Sequence, residues 1–255
     1  MTPAPLYSAE DALKGTRFAS WPLFAAAAGV VNATALLACE RFVTHVTGTV
    51  TQVGIDAGQW FLMFEYVLVL ACFVSGAFVS AVLLQKLGRA RAFIASLSLT
   101  VTVLIGVAAL GNAGVLGPFG GGVERPGDFA LLSLLGCAMG LQNAAIASAT
   151  AVALRTTHMT GPASDLGVHL GTAVMTSGAE RTAALRLAVA RGAKLVSFAA
   201  GAGLAVPLAR AHGFSSFLFA AGTIVLATLA SLPTKEKNDH EGTSHFSSRR
   251  AHKAA

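Results

Sequence analysis

The sequence predicts an all-α membrane protein whose six transmembrane helices form two inverted three-helix repeats. The 255-residue chain is 54% hydrophobic and only 12% charged, about half the charged fraction of a soluble domain. Long uncharged runs recur along it, and one short motif occurs twice. The composition therefore argues against a soluble cytoplasmic enzyme and favours helices packed in lipid.

The predicted spans are the segments from which charges are absent. A hydrocarbon core of ~30 Å takes ~20 helical residues to cross. Four runs carry no charge, a fifth carries only Glu65, and a sixth is short but framed by Lys194 and Arg210, whose long side chains can reach the interfaces. In chain order the predicted spans are Phe18–Cys39, Trp60–Leu84, Ala92–Gly111, Phe129–Leu154, Leu195–Ala209 and Phe214–Pro233.

The basic residues predict the orientation. With the amino terminus in the cytoplasm, fifteen of the 18 Lys and Arg residues fall on the inner side, and only Arg41, Arg125 and Arg210 fall outside. Such a bias in short loops sets topology, so both termini are predicted to be cytoplasmic. The net charge of +6 is thus interpreted as topology and leaflet contact, and no nucleic-acid partner is expected because no clustered basic face is present.

The chain divides into five predicted segments. The last one is polar and aperiodic and cannot bury enough apolar surface to fold alone. The segments are a cytoplasmic amino-terminal stretch 1–17, the first repeat 18–111, an external loop 112–128, the second repeat 129–233 and a disordered basic cytoplasmic tail 234–255.

A repeated motif gives the internal symmetry. Thr-His-Val-Thr-Gly at 44–48 recurs as Thr-His-Met-Thr-Gly at 157–161. Upstream, Gly29 and Asn32 correspond to Gly140 and Asn143. Downstream, the spacing of Gly76 and Gly88 is the same as that of Gly201 and Gly213. Each unit holds three spans, and an odd number of crossings makes the second copy enter from the opposite side. Inverted three-helix repeats are a common plan of secondary transporters, with the site near mid-membrane at the repeat interface.

The motif predicts a broken helix. Its glycine is expected to interrupt one helix, and Thr47 or Thr160 is expected to cap the amides of the next. The positive end of that helix favours an anion or a carboxylate-bearing ligand. The alternative is that each His and Thr only satisfies backbone groups where the helix breaks.

Candidate binding or gating residues come from both copies. His45 and His158 can exchange protons near neutral pH, which suits a gate. Asn32 and Asn143 either line a polar path or hydrogen-bond between helices, and packing the first and fourth spans together places them near each other. The full set is Asn32, His45, Thr47, Gly48, Asn143, His158, Thr160, Gly161 and Asp165.

One acidic residue stands apart from this set. Glu65 is the candidate for proton coupling, because it is the single charge in its span. Its alternative role is a carboxylate that reaches interfacial water. Neither a catalytic residue, a metal site nor a cofactor is predicted.

These motifs resemble the YoaK-like family of bacterial inner-membrane proteins, a family classed as a domain of unknown function. The resemblance rests on Gly-x-x-Asn in the first span, His45-Val-Thr-Gly, Gly-Leu-Gln-Asn-Ala at 140–144 and Arg155-Thr-Thr-His-Met-Thr-Gly, and it runs from about residue 18 to about residue 233. It implies a multi-pass protein of the bacterial inner (plasma) membrane and no particular activity. Glu40 and Arg41 stand where small residues are expected.

A second resemblance concerns the loop 86–91, Lys-Leu-Gly-Arg-Ala-Arg. It is similar to the basic loop at the same place in major-facilitator transporters, although the acidic residue usual before that pattern is missing. One half of such a transporter also consists of two inverted three-helix units.

Transport of a small solute, favoured as anionic, is the leading functional expectation, with the lipid bilayer as surroundings and a homodimer as the assembly. The alternative is a non-transporting membrane sensor or scaffold. An enzyme is not expected, since the sequence has no His-Glu-x-x-His motif, no paired intramembrane aspartates and no nucleophile elbow.

Overall fold

The computed structural model describes residues 6, 15–123, 125–150 and 156–232, and its regular elements are helices. Most of the predicted amino-terminal segment and the predicted tail 234–255 lie outside the described residues. The helices are α1 Gly15–Cys39, α2 Val46–Ile55, α3 Trp60–Leu87, α4 Arg89–Asn112, α5 Pro126–Ala149, α6 Thr160–Met175, α7 Gly178–His212 and α8 Phe217–Ser231, and a 3-10 turn, Gly213–Ser216, joins the last two.

Several of these helices are long and apolar enough to cross a membrane. Within the described ranges five segments qualify, and the first four match predicted spans closely. The fifth, Gly178–Ser231, has 54 residues and contains both α7 and α8. The chain is therefore a multi-pass helical membrane protein in its architecture. The five segments are Phe18–Cys39, Trp60–Leu87, Arg89–Asn112, Pro126–Ala149 and Gly178–Ser231.

Helix α7 differs from its prediction. The sequence predicts a short span at 195–209, whereas the helix is continuous over 35 residues from Gly178 to His212. Lys and Arg are good helix formers, so the charged side chains that bound the apolar stretch do not end the helix. At Gly213 the backbone adopts φ 50°, which glycine tolerates and which starts the turn into α8.

The long helices pack in an interlocked pattern. Helix α1, from the first half, packs against α7 and α8 of the second half. Helix α5, from the second half, packs against α3 and α4 of the first half. Phe24, Leu135 and Phe217 are fully buried in the resulting core. Neither half could fold by itself into this arrangement, because each first helix buries its surface on the other half.

Glycines permit the closest of these contacts. At four positions an added Cβ would overlap a backbone carbonyl oxygen of the neighbouring helix, so only glycine lets the two backbones approach this far. Two of them lie between α1 and α7 and two between α3 and α5. The overlaps are Gly29 with Phe198, Gly201 with Ala26, Gly140 with Phe73 and Gly76 with Cys137.

Two shorter helices complete the fold. Helix α2 has 10 residues and packs on α3, and α6 has 16 residues and packs on α7. Each is joined to its neighbour by only a few residues, so each pair forms an antiparallel hairpin. The amino-terminal end of each short helix therefore lies beside the middle part of the long helix that follows it.

Candidate functional site

Asn32 fixes the loop that follows α1. Its side-chain Oδ1 accepts backbone N–H hydrogen bonds from Val43 and Thr44, each at 3.2 Å. Asn32 lies about two turns before α1 ends at Cys39, so the loop has turned back along the helix to reach it. Helix α2 consequently begins partway along α1 and not at its end.

Asn143 makes the corresponding contact in the second half. Its Oδ1 accepts hydrogen bonds from the backbone N–H of Thr157, at 3.5 Å, and from the Thr157 hydroxyl, at 3.1 Å. Thr44 and Thr157 are the first residues of the two motifs. Both asparagines thus anchor a motif through their carbonyl oxygens.

The motifs start the two short helices, but in a different register from the prediction. The N-cap residues of α2 and α6 are His45 and Met159, and neither side chain makes a capping hydrogen bond. Thr47 and Thr160 lie inside the helices. The predicted capping role of Thr47 or Thr160 is therefore wrong. The predicted break at the glycine is also wrong, because Gly48 and Gly161 lie inside the first turns.

The glycines instead make room for the histidine rings. A Cβ on Gly48 would overlap the ring of His45, and a Cβ on Gly161 would lie 3.3 Å from Cδ2 of His158. Each imidazole therefore lies over the first turn of its helix. The spacing His-x-x-Gly reflects this contact between the residue at or just before the N-cap and the first turn.

The two motifs meet in one cavity of about 400 Å³. Of the predicted candidates, Asn32, His45, Thr47, Asn143, His158 and Thr160 line it, and Gly48 and Gly161 lie directly beneath the histidines. The lining consists of matched pairs from the two halves: Asn32 and Asn143, Thr44 and Thr157, His45 and His158, Val46 and Met159, Thr47 and Thr160, and Phe73 and Phe198.

A second cavity, of about 590 Å³, adjoins the first-half motif. It shares His45 and Thr47 with the central cavity and extends along α2 and the end of α1 to Tyr66. His45 and Thr47 therefore stand between the two spaces.

Glu65 lies at this side of the molecule as half of an ion pair. Its Oε2 is 2.8 Å from Nε of Arg41, and the Glu65 side chain is 1% exposed. The Arg41 guanidinium also lies over the ring of Tyr66, 5.5 Å from its centroid. The alternative that Glu65 reaches interfacial water is wrong, because its carboxylate is buried against Arg41.

Asp165 is placed apart from the other candidates. Its Oδ2 pairs with Nη2 of Arg191 at 3.2 Å, between α6 and α7, and it does not line the central cavity. The ion pair ties the first turns of α6 to α7.

Outside the two motifs, three further residues belong to the site and were missed from the sequence. Phe73 and Phe198 line the cavity, and each lies three residues before a paired glycine, Gly76 or Gly201. Extending the repeat comparison by one turn finds them. Lys194 is buried, and its Nζ donates to the carbonyl oxygen of His158 at 2.8 Å. No pattern in the sequence indicates that contact.

Metal binding finds no support among the described residues, where no group of three or more His, Cys, Asp or Glu side chains comes together. Cys39, Cys72 and Cys137 are free thiols. The chemistry of the cavity therefore rests on amide, hydroxyl and imidazole groups.

Comparison with known proteins identifies the family of the chain. Searches of curated proteins and of solved structures find no match. A family model described as "Protein of unknown function (DUF1275)" matches residues 22–230, which include both motifs and every helix from α2 to α7. The chain belongs to this family, DUF1275.

Proposed function

We propose that this protein is a membrane transporter of a small solute and that the central cavity is its substrate site. The observation that carries the proposal is the lining itself, which is built from equivalent residues of two motifs far apart in the chain. Secondary transporters with inverted repeats bind substrate at mid-membrane, where two such halves meet. A cavity of about 400 Å³ suits a small solute.

The packing supports an inverted repeat of three spans each. We pair α1 with α5, α3 with α7 and α4 with α8 as equivalent helices of the two halves. Helix α1 packs on α7 and α8, and its equivalent α5 packs on the equivalents of those helices, α3 and α4. The glycine contacts at Gly29 and Gly201 become those at Gly140 and Gly76. One exchange of halves therefore accounts for these four helix contacts and for the four close approaches.

A six-span topology follows from treating α7 and α8 as separate crossings. Both helices pack on α1, and the chain turns between them at Gly213. A straight 54-residue helix would be ~80 Å long, far more than one bilayer crossing needs. Three crossings per repeat then place the second repeat upside down relative to the first.

The short helices supply the discontinuous elements that such transporters use. Helices α2 and α6 begin beside the cavity, where backbone amides without intrahelical partners lie close to a bound solute. We propose that His45 and Thr47 gate the route into the second cavity. On the other half, Lys194 and the Asp165–Arg191 pair tie the start of α6 to α7.

Orientation and location are part of the proposal. The distribution of basic residues supports cytoplasmic termini, and the motifs support kinship with YoaK-like proteins of the bacterial inner membrane. Reporter fusions after residues 91 and 194 are expected to report the cytoplasm, and a fusion after residue 118 the outside. An outside signal from residue 91 would overturn the topology.

We further propose a homodimer, because six small helices offer only a thin polar lining. Apolar side chains of α3, including Phe64 and Phe78, are exposed on the outer surface, where lipid or a second copy can cover them. Mass measurement in lipid nanodiscs tests the assembly, and a purely monomeric population would contradict it.

Reconstitution tests the transport proposal. Purified protein in phosphatidylethanolamine and phosphatidylglycerol vesicles is assayed for uptake of labelled acetate, phosphate, glycerol and urea, with and without a proton gradient. We expect uptake above that of protein-free vesicles, lost in the double variant His45→Ala/His158→Ala. The matched control is His212→Ala, whose side chain is exposed outside the cavity. Absence of uptake in every condition would favour the sensor or scaffold alternative.

A further inference from the structure

The polar groups that line the central cavity include hydrogen-bond donors from both halves of the chain. The side chains are two asparagines, four threonines and two histidines, and none of the described residues that line the cavity is a carboxylate. The rest of the lining is non-polar and consists of Val46 and Met159 and the aromatic pair Phe73 and Phe198. A cation would find no counter-charge in this lining.

The two asparagines supply the clearest of these donors. Each Oδ1 is already used by backbone or hydroxyl donors of the following loop, so each side chain presents its Nδ2 amide to the cavity. Within the described part of the chain neither Nδ2 has a hydrogen-bond partner. Asn32 is only 8% exposed and lines the cavity, so an acceptor for its amide is most readily supplied by a ligand in that space.

Two helix N-termini reinforce the same preference. The first residues of α2 and α6, Val46 and Thr160, both line the cavity, and neither helix has an acidic residue in its first turn. Each N-terminus carries roughly half a positive charge on its free amides. Two such ends beside one cavity attract negative charge and repel cations.

From these observations we infer that the substrate is a small anion, held through carboxylate or oxyanion oxygens by the Nδ2 groups of Asn32 and Asn143 between the two helix N-termini. This rests on the proposed function for the identity of the site, and deepens it by naming the substrate class. The matched donors from the two halves suit an anion with oxygens facing both sides.

The test places a negative charge where the anion would bind. Asn32→Asp and Asn143→Asp keep the oxygen that accepts the loop hydrogen bonds and replace the free amide by a second carboxylate oxygen. The control is Asn112→Asp, on an exposed asparagine that contacts Ser215 outside the cavity. Binding of acetate, phosphate, glycerol and methylammonium is measured by calorimetry on protein in nanodiscs, and uptake of the same solutes is measured in vesicles.

We expect acetate or phosphate to bind the wild type and the Asn112→Asp control. Binding by each cavity variant should be weaker by about tenfold or more, because a like charge within a few ångströms costs more than 1.4 kcal/mol at an intermediate dielectric. Methylammonium should gain affinity in the same variants.

The outcomes separate this inference from the transport proposal. Cavity-dependent uptake of glycerol alone, with anions inert, would overturn the anion inference and leave transport standing. Anion binding without uptake of any solute would uphold the inference and overturn transport. Anion binding that Asn32→Asp and Asn143→Asp leave unchanged would place the anion elsewhere and refute the site.

Discussion

The Nζ of Lys194 donates a hydrogen bond of 2.8 Å to the carbonyl oxygen of His158, and so ties the middle of α7 to the loop that leads into α6. Among the described residues, the first half has no equivalent hydrogen bond. Counted back from the paired glycines Gly201 and Gly76, the residue that matches Lys194 is the buried Val69. The two motifs are therefore held differently, although they line one cavity.

This difference predicts an asymmetric effect on stability. Lys194→Met removes a buried hydrogen bond and should lower the free energy of unfolding by about 0.5–1.5 kcal/mol. Thermal unfolding in detergent measures the change, with Lys86→Met, at an exposed position, as the control. A melting temperature equal to wild type would show that the contact does not hold the loop.

The Arg41–Glu65 pair predicts a non-additive double-variant cycle. Arg41→Met leaves the buried Glu65 carboxylate without its partner and should cost about 3–5 kcal/mol. Glu65→Gln should cost less, since Arg41 keeps the carbonyl oxygen of Glu40 and the Tyr66 ring as partners. Arg41→Met combined with Glu65→Gln removes both charges and should recover much of the lost stability.

The same variants test proton coupling. If Glu65 only neutralises Arg41, the double variant should take up solute as the wild type does and keep its response to a proton gradient. If Glu65 carries the coupled proton, that response should disappear while uptake down the solute gradient persists. Glu180→Gln, at an exposed glutamate, is the control for the loss of a carboxylate.

The close helix contacts predict opposite effects for the same substitution. Gly29→Ala and Gly140→Ala each force a methyl group onto a carbonyl of the facing helix, and overpacking of this kind costs about 1–3 kcal/mol. Gly106→Ala, in α4 with open space around it, should stabilise by about 0.5–1 kcal/mol. Chemical unfolding in detergent compares the three, and equal effects at all sites would remove the glycines from the packing argument.

The cavity is the part of the molecule that the sequence predicts best. Asn32 and Asn143 were expected to approach each other, and the repeated His and Thr positions share that space, because a duplicated unit repeats its contacts as well as its residues. At Glu40 the expected residue type is explained by the backbone conformation. Its φ of 57° is a left-handed conformation that glycine adopts most readily, which explains why a small residue is expected there.

What escaped prediction depends on contacts between distant segments. The chain is non-helical from residue 40 to residue 45 because Asn32 accepts hydrogen bonds from the backbone of Val43 and Thr44. A local sequence pattern does not reveal which side chain accepts those bonds. The charged first half of α7 packs against α6, a contact that the predicted short span at 195–209 does not reveal. Likewise, the partner of Glu65 lies on a loop that the sequence places only approximately.

The contact between Gly48 and His45 predicts how the proposed gate can be perturbed without removing the imidazole. A methyl group at residue 48 overlaps the imidazole, so Gly48→Ala should displace the ring of His45 into the space between the two cavities. Helix α2 should tolerate or gain from the alanine itself. We therefore expect reduced solute uptake with a melting temperature close to that of the wild type.

The second repeat provides the matched comparison. At Gly161 the added methyl group would lie 3.3 Å from Cδ2 of His158, so Gly161→Ala asks for a shift of only a few tenths of an ångström and should reduce uptake less. Combining Gly48→Ala with His45→Ala should reproduce the uptake of His45→Ala alone, because the displaced ring is then absent. If Gly48→Ala instead lowers the melting temperature and leaves uptake per folded protein unchanged, His45 serves to pack the first turn of α2 and does not gate the cavity.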